Sequence, residues 1–369
     1  MLSLSFAIAF LLHLLLFCTA PMVTYIMNEM NLSHAGFGVL FSAAMIGLIL
    51  FRIPWGIIGD RIGYVNAFRI ALPIAAVSAI ARGVSSNYTT LLVSQFFLGI
   101  GLAAVLPCLP ILIREWSYGR LGFWTGVYIS GFAVGNATAL GLTSMILGVL
   151  PWRNALIIYG IVAIAVTILW WILGRKNGES SPTVVGNFPK LLRDRYVWLL
   201  LFLMIASMAS YDTLATWMPK VLEMKGVDTA ISSFLPFGFL LAGPITGLAL
   251  DRFQNRKAMM ALLGVGAAVS IAGISYTNLP ILLACIFFSG FTCIGALTFS
   301  LTMPAKHEHL SSSVGSVIGL TSSLGNVGPL TIPVIFGFFI DVTGNIQTSL
   351  LLVALIASST FLLGSRFCE

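Results

Sequence analysis

Charge is what this sequence has least of. Only 8% of its 369 residues are Asp, Glu, Lys or Arg, while 58% are hydrophobic. A soluble domain carries about 25% charged residues, so a chain this apolar cannot cover its surface in water, and lipid must be its main solvent. Cysteine is scarce too. Cys18, Cys108, Cys285, Cys293 and Cys368 show no Cys-x-x-Cys spacing, and most lie inside apolar runs, as small packing residues do. There is no Gly-x-Ser-x-Gly, no Gly-Lys-Ser/Thr phosphate loop and no His-Glu-x-x-His. These absences argue against a membrane hydrolase or an ATP-driven pump, and no cofactor is expected. His307-Glu308-His309 is read as a solvated loop rather than a metal site, because alternate residues seldom chelate one ion without further ligands.

Long apolar runs are what the sequence has instead. A spanning helix needs roughly 20 apolar residues, and the runs place helices at 4–28, 35–59, 65–84, 89–113, 120–148, 153–174, 197–219, 230–250, 257–276, 279–303, 312–340 and 347–365. The expectation is an all-α membrane protein of twelve transmembrane helices. The one sizeable polar stretch, 175–195, separates an N-terminal six-helix bundle, 1–174, from a C-terminal one, 196–369.

The net charge of +7 does not point to nucleic acid, because the basic residues fall in short loops where a topology signal explains them. With a cytoplasmic N-terminus, thirteen Lys and Arg residues fall in inside loops, among them Arg61, Arg114, Arg120, Lys176, Lys190 and Arg252. Four fall outside: Arg82, Arg153, Lys220 and Lys225. The excess expects both termini in the cytoplasm.

The chain also repeats itself. Gly56-Ile-Ile-Gly-Asp60-Arg61 returns as Gly247-Leu-Ala-Leu-Asp251-Arg252, 191 positions later, and Gly135-Asn136 returns as Gly325-Asn326, 190 positions later. Parallel repeats related by an axis along the membrane normal build transporters, so the two bundles are expected to be related by a pseudo-twofold axis.

Polar residues inside apolar runs are the candidate site. Arg52, in the second run, is costly in lipid, by roughly 2.5–3.5 kcal/mol on insertion scales. Its planar fork suits a carboxylate; the plain alternative is snorkelling or pairing with Asp60. Asp212 is read as the one carboxylate inside a helix, and with His13 it is a candidate carrier of a coupling proton. A gate hydrogen bond for Asp212 and a satisfied core histidine are the plain alternatives. Asn136 and Asn326, at equivalent places in the two halves, either donate to a substrate or bond neighbouring backbone. Tyr25, Tyr128, Tyr211 and Trp217 are candidate path-lining aromatics, against an interfacial belt. Gly56, Asp60, Arg61 and Gly63, with Gly247, Asp251 and Arg252, are candidates for a conformational latch, against plain anchoring by positive charge.

Gly56-Ile-Ile-Gly-Asp60-Arg61-Ile-Gly63 resembles the loop-two signature of the major facilitator superfamily, Gly-x-x-x-Asp-Arg-x-Gly-Arg-Arg, with Tyr64-Val65 in place of the basic pair. Where proton-coupled members carry an Arg four residues before a Gly in helix four, this chain has Gln95 before Gly99. Arg52-Ile-Pro54 is similar to the nitrate/nitrite porter branch, and Tyr211 through Pro219 resembles helix seven of cyanate-permease-type carriers. Nitrate porters have a second Arg just before a Pro in helix eight; here Gly243 precedes Pro244. The resemblance implies a monomeric secondary transporter of the cell membrane, working by alternating access on a small monoanion such as cyanate or an organic carboxylate. Alternatives are efflux of hydrophobic compounds, with Asp212 as the charged anchor, and a sensor or assembly protein that moves nothing.

Overall fold

Apolar sequence in lipid folds as helix because only the helix satisfies every backbone donor and acceptor within one segment. A computed structural model of the chain describes residues 2–116, 121–175, 191, 193–252, 255–276, 278–306, 310 and 314–367. Arg120, Lys176, Lys190 and the 307–309 stretch lie outside the described residues, as do the side chains of Arg114 and Asp251. The described elements are helical throughout: α1 (Leu2–Phe17), α2 (Val23–Met30), α3 (His34–Ile62), α4 (Tyr64–Val84), α5 (Tyr88–Leu102), α6 (Val105–Trp116), α7 (Leu121–Ala137), a π-helical turn (Thr138–Leu142), α8 (Thr143–Ile146) and α9 (Trp152–Leu173) come first. Then follow α10 (Arg195–Met224), a 3₁₀ turn (Thr229–Ser233), α11 (Phe234–Arg252), α12 (Arg256–Gly273), α13 (Leu279–Lys306), α14 (Val314–Gly325), α15 (Val327–Thr343) and α16 (Ile346–Phe367). Among the described residues, nine helical stretches are long and apolar enough to cross a membrane, and three shorter apolar helices complete the twelve. The outer faces need lipid: the apolar window of α9 is only 33% buried by protein.

Several expected single helices are broken, each for a local reason. Pro21 has no N–H for the carbonyl of Phe17, so the chain unwinds at Cys18–Met22 and the Phe17 carbonyl accepts from Ala20 at 3.0 Å instead. Pro329 likewise cannot donate to Gly325, and Asn326 separates α14 from α15. Gly63, with φ of +89°, makes the corner from α3 into α4, a conformation that only glycine adopts freely.

The chain forms two compact units. Unit 1 is Met1–Leu32 with Val39–Thr183, and unit 2 is Ser33–Gly38 with Val184–Glu369. In unit 1, α4 packs on α5 and α9, and α1 packs on α7. In unit 2, α11 packs on α13, α12 on α13 and α16, and α10 on α13, α15 and α16. The core of unit 2 gathers Leu200, Leu203, Met260, Phe299, Met303 and Val317.

Glycine sets the closest approaches. A Cβ on Gly47 would lie 2.4 Å from the Phe96 carbonyl oxygen, and one on Gly99 2.0 Å from that of Ala44. In unit 2, Gly238 meets the Phe287 oxygen at 2.1 Å and Gly290 the Leu235 oxygen at 2.1 Å. Each of these four residues and four oxygens stands 191 positions from its counterpart in the other unit. The same helix crossing is therefore built twice. Gly99→Ala and Gly290→Ala must each push a helix off a backbone carbonyl. Each is expected to cost about 1–3 kcal/mol, read as a lower thermal unfolding midpoint in detergent, whereas Gly247→Ala, with open space around it, is expected to be neutral.

An ion pair closes one end of unit 1. Arg153 donates to Glu29 at 2.7 and 3.2 Å, the Trp152 indole donates to the other Glu29 oxygen at 2.7 Å, and Arg153 also reaches the Ser85 carbonyl. The hydrogen bond from Arg153, then that from Trp152, lowers the Glu29 pKa against the opposing effect of burial. A lowered pKa means the carboxylate stabilises the fold above the ordinary glutamate range, and that this contribution disappears as pH falls through the folded value. The unfolding midpoint of the native protein should therefore drop on acidification more steeply than that of Glu29→Gln, with the two profiles converging in acid.

Candidate functional site

A polar group in an apolar bundle needs a partner or a purpose, so the site begins with a census of such groups. Arg52 is 8% exposed in α3, well inside a 29-residue helix, as the sequence led one to expect. Arg82 is the group sequence reasoning misplaced. Counted above as an outside-loop residue, it lies within α4 and is fully buried. Its guanidinium donates to the Leu15 carbonyl at 2.8 Å and to Oε1 of Gln95 at 3.0 Å, with the Cys18 sulfur at 3.9 Å. Its position inside the 65–84 apolar run, short of the helix end, was the available signal.

This arrangement has a local cause. The break after α1 leaves carbonyls at a helix C-terminus, where positive charge is favoured, and Arg82 supplies it. Gln95 is in α5, and its side chain accepts from this arginine on the neighbouring helix α4.

The remaining unit 1 candidates scatter. His13 packs against Phe17 and Phe132, with ring centroids 5.4 and 4.9 Å away, and Tyr128 sets its edge on Phe132 at 5.7 Å. His13 and Tyr128 thus share one aromatic wall. Asn136 is fully buried, two residues before the π-helical turn, a feature frequent at functional sites. Tyr25 is 49% exposed. In the corner, Asp60 accepts from the hydroxyl of Tyr64, four residues on. Arg61 is exposed. Beside this corner is a cavity of ≈ 290 Å³ lined by Gly63, Tyr64, Val65, Asn66, Arg69, Leu112, Glu115 and Gly174; Arg52 is not among its walls.

In unit 2, Trp217 is fully buried, donates to the Pro333 carbonyl at 3.0 Å and stacks on Phe336 at 5.6 Å. Tyr211 is buried with its ring edge-on to Phe239, and Asp212 beside it is half-buried. Asn326 donates to the Ser322 carbonyl at 2.6 Å, which binds it to the end of α14. Gly247 has open space around it and Arg252 is exposed at the end of α11. Among the described residues no cluster of three His, Cys, Asp or Glu is placed to hold a metal.

A family model described as Major Facilitator Superfamily matches residues 5–242 and 229–367. The chain belongs to the major facilitator superfamily. It is similar to a probable sulfoacetate transporter of Cupriavidus necator, 26% identical over 88% of this chain and 83% of that protein. A probable nitrate transporter of Staphylococcus haemolyticus is 23% identical over 93% of this chain and 90% of its own length, in keeping with the nitrate-porter likeness of Arg52-Ile-Pro54. Among solved structures, a bacterial homologue of the human lysosomal transporter Spinster, inward-facing and occupied, superposes with a TM-score of 0.79 at 17% identity, covering 99% of this chain and 96% of that one. The fold is the twelve-helix major facilitator fold.

Within that fold, the Arg82 centre is a buried charge whose loss leaves Oε1 of Gln95 without this donor and the Leu15 carbonyl with only the weak Cys18 thiol donor. Arg82→Met should lower the thermal midpoint by the equivalent of about 1–3 kcal/mol for each buried acceptor left unbonded. Adding Gln95→Leu removes one of those acceptors and should recover part of the loss.

Proposed function

We propose that this chain is a secondary transporter that moves a small monoanion by alternating access. The observation that carries the reading is Arg52, a guanidinium 8% exposed within an apolar span. Burying it is costly unless it meets an anion or a hydrated path, and its fork forms charge-assisted, paired bonds to a carboxylate or a similar planar group. The names given to the sulfoacetate and nitrate transporters among its relatives support an anionic cargo. The absence of an arginine at Gly243, before Pro244, favours a single-charge contact over a two-arginine clamp.

In this reading Arg52 holds the anionic group and Asn136 and Asn326 orient it. Tyr25, Tyr128, Tyr211 and Trp217 line the path, and Asp212 or His13 carries a coupling proton. Gly56, Asp60, Arg61 and Gly63, with Gly247, Asp251 and Arg252, form the latch of the cycle. The Trp217 and Asn326 roles compete with the backbone bonds those side chains make. We further propose that both termini are cytoplasmic, on the excess of basic residues in the inside loops, that the protein lies in the cell membrane as a monomer, and that 1–174 and 196–369 are its two bundles.

The test is counterflow in proteoliposomes with nitrate, cyanate, sulfoacetate and simple carboxylates. One of the monoanions among these, nitrate, cyanate or a monocarboxylate, should be exchanged by the native protein in preference to sulfoacetate, which is a dianion. Arg52→Gln should then weaken its apparent affinity about 10- to 100-fold, the equivalent of about 1.5–3 kcal/mol for a charged hydrogen bond. Flux of an anion with unchanged affinity in Arg52→Gln would remove Arg52 from the site.

A further inference from the structure

From Leu48 to the end of α3, only Leu48, Arg52, Trp55 and Gly59 are buried. Steps of four, three and four residues put them in one stripe of the helix, so Arg52 and Trp55 are neighbours on one face. Pro54 lies between them and has no N–H for the Leu50 carbonyl. The hydrogen-bond ladder of α3 thus lacks a rung where its arginine stands. The direction of that turn depends on what α3 is fastened to.

Within unit 1, α3 is fastened on both sides of Arg52. Before it, Gly47 lies against the Phe96 carbonyl and the backbone of Gly99. After it, the Trp55 indole N–H donates to the Ile100 carbonyl at 2.8 Å, in a buried bond. Ile100 is in the last turn of α5, where a helix leaves carbonyls without a donor of its own. From α6 the Cys108 thiol adds a weaker bond to the Trp55 carbonyl, at 3.6 Å.

Unit 2 builds the same helix crossing without either residue. At the offset of 191, Gly47 and Gly99 return as Gly238 and Gly290, but Arg52 returns as Gly243 and Trp55 as Thr246. Thr246 carries no indole to reach the facing helix; it packs on Gly295 of α13, where a Cβ would lie 3.0 Å from its Oγ1. Glycine alone is therefore enough to make the crossing. What the tryptophan accompanies is the arginine.

We infer that Trp55 is a positioning residue for Arg52: its bond to the end of α5 fixes the turn of α3 that aims the guanidinium, and so sets how tightly the anion is held. This role rests on the transport reading, in which Arg52 holds the anion.

A double-mutant cycle on the full protein in proteoliposomes tests it, with nitrate, cyanate and acetate as probes. The half-saturating concentration in counterflow is measured for the native protein, Trp55→Phe, Arg52→Gln and the double variant. Trp55→Phe keeps a ring and removes the N–H. It should weaken the exchanged anion about 3- to 10-fold in the native background, and less than about twofold once Arg52 is already Gln. Cys108→Ala removes a contact to the same residue but leaves the indole bond, and should change affinity less than about twofold. Unchanged affinity in Trp55→Phe overturns the role. So does an equal loss in both backgrounds, or a matching loss in Cys108→Ala, either of which would make Trp55 general packing of α3. Failure of the transport reading looks different: Arg52→Gln then leaves affinity unchanged, or no probe is exchanged at all, and the role falls with it. Where Arg52→Gln weakens the anion and Trp55→Phe does not, the role falls alone.

Discussion

Inside a bilayer a backbone N–H or C=O has no water to turn to, and leaving one unbonded costs several kcal/mol. The rest of this structure follows from that constraint. Where a helix is whole, the chain meets it alone. Where a helix is broken, something else must answer. At Cys18–Met22 the chain tightens into short turns, and the Leu15 carbonyl takes a bond from Arg82. At Asn326 the side chain turns back onto the Ser322 carbonyl. Buried polar residues in this protein are thus sorted first by the backbone they complete.

The same constraint explains the glycines. Helices that have satisfied their own backbone gain little from the hydrophobic effect in lipid, so they associate by close van der Waals packing at small residues. Gly47 with Gly99, and Gly238 with Gly290, let backbone touch backbone at two equivalent crossings. The 191-residue offset seen first in Asp60 and Asp251 reappears at residues no motif singles out. One plan for crossing two helices serves both units.

This division also explains what was legible in the sequence. Span number and class were readable because apolar length reports directly on bilayer thickness. The breaks were harder to read. Pro21 and Pro329 are visible, but proline inside α3, α4 and α13 leaves those helices continuous, so the residue type alone does not decide. Arg82 was read as a loop residue because charge near the end of a run looks like an anchor; only the neighbouring chain end at Leu15 gives it a buried partner.

What separates Arg52 from Arg82 is therefore the nature of the demand on each. Arg82 stands at a helix C-terminus and bonds the carbonyl there, so its charge is accounted for by the break in α1. Arg52 stands inside α3, where the surrounding helix runs whole from His34 to Ile62 and presents no broken end for a cation to complete. Nor is there a second cation at Gly243 in α11, where a Cβ would meet nothing within 4 Å: that position supplies neither charge nor bulk. In the transport reading proposed above, a cation at Arg52 with none at Gly243 is an argument for a cargo of one negative charge.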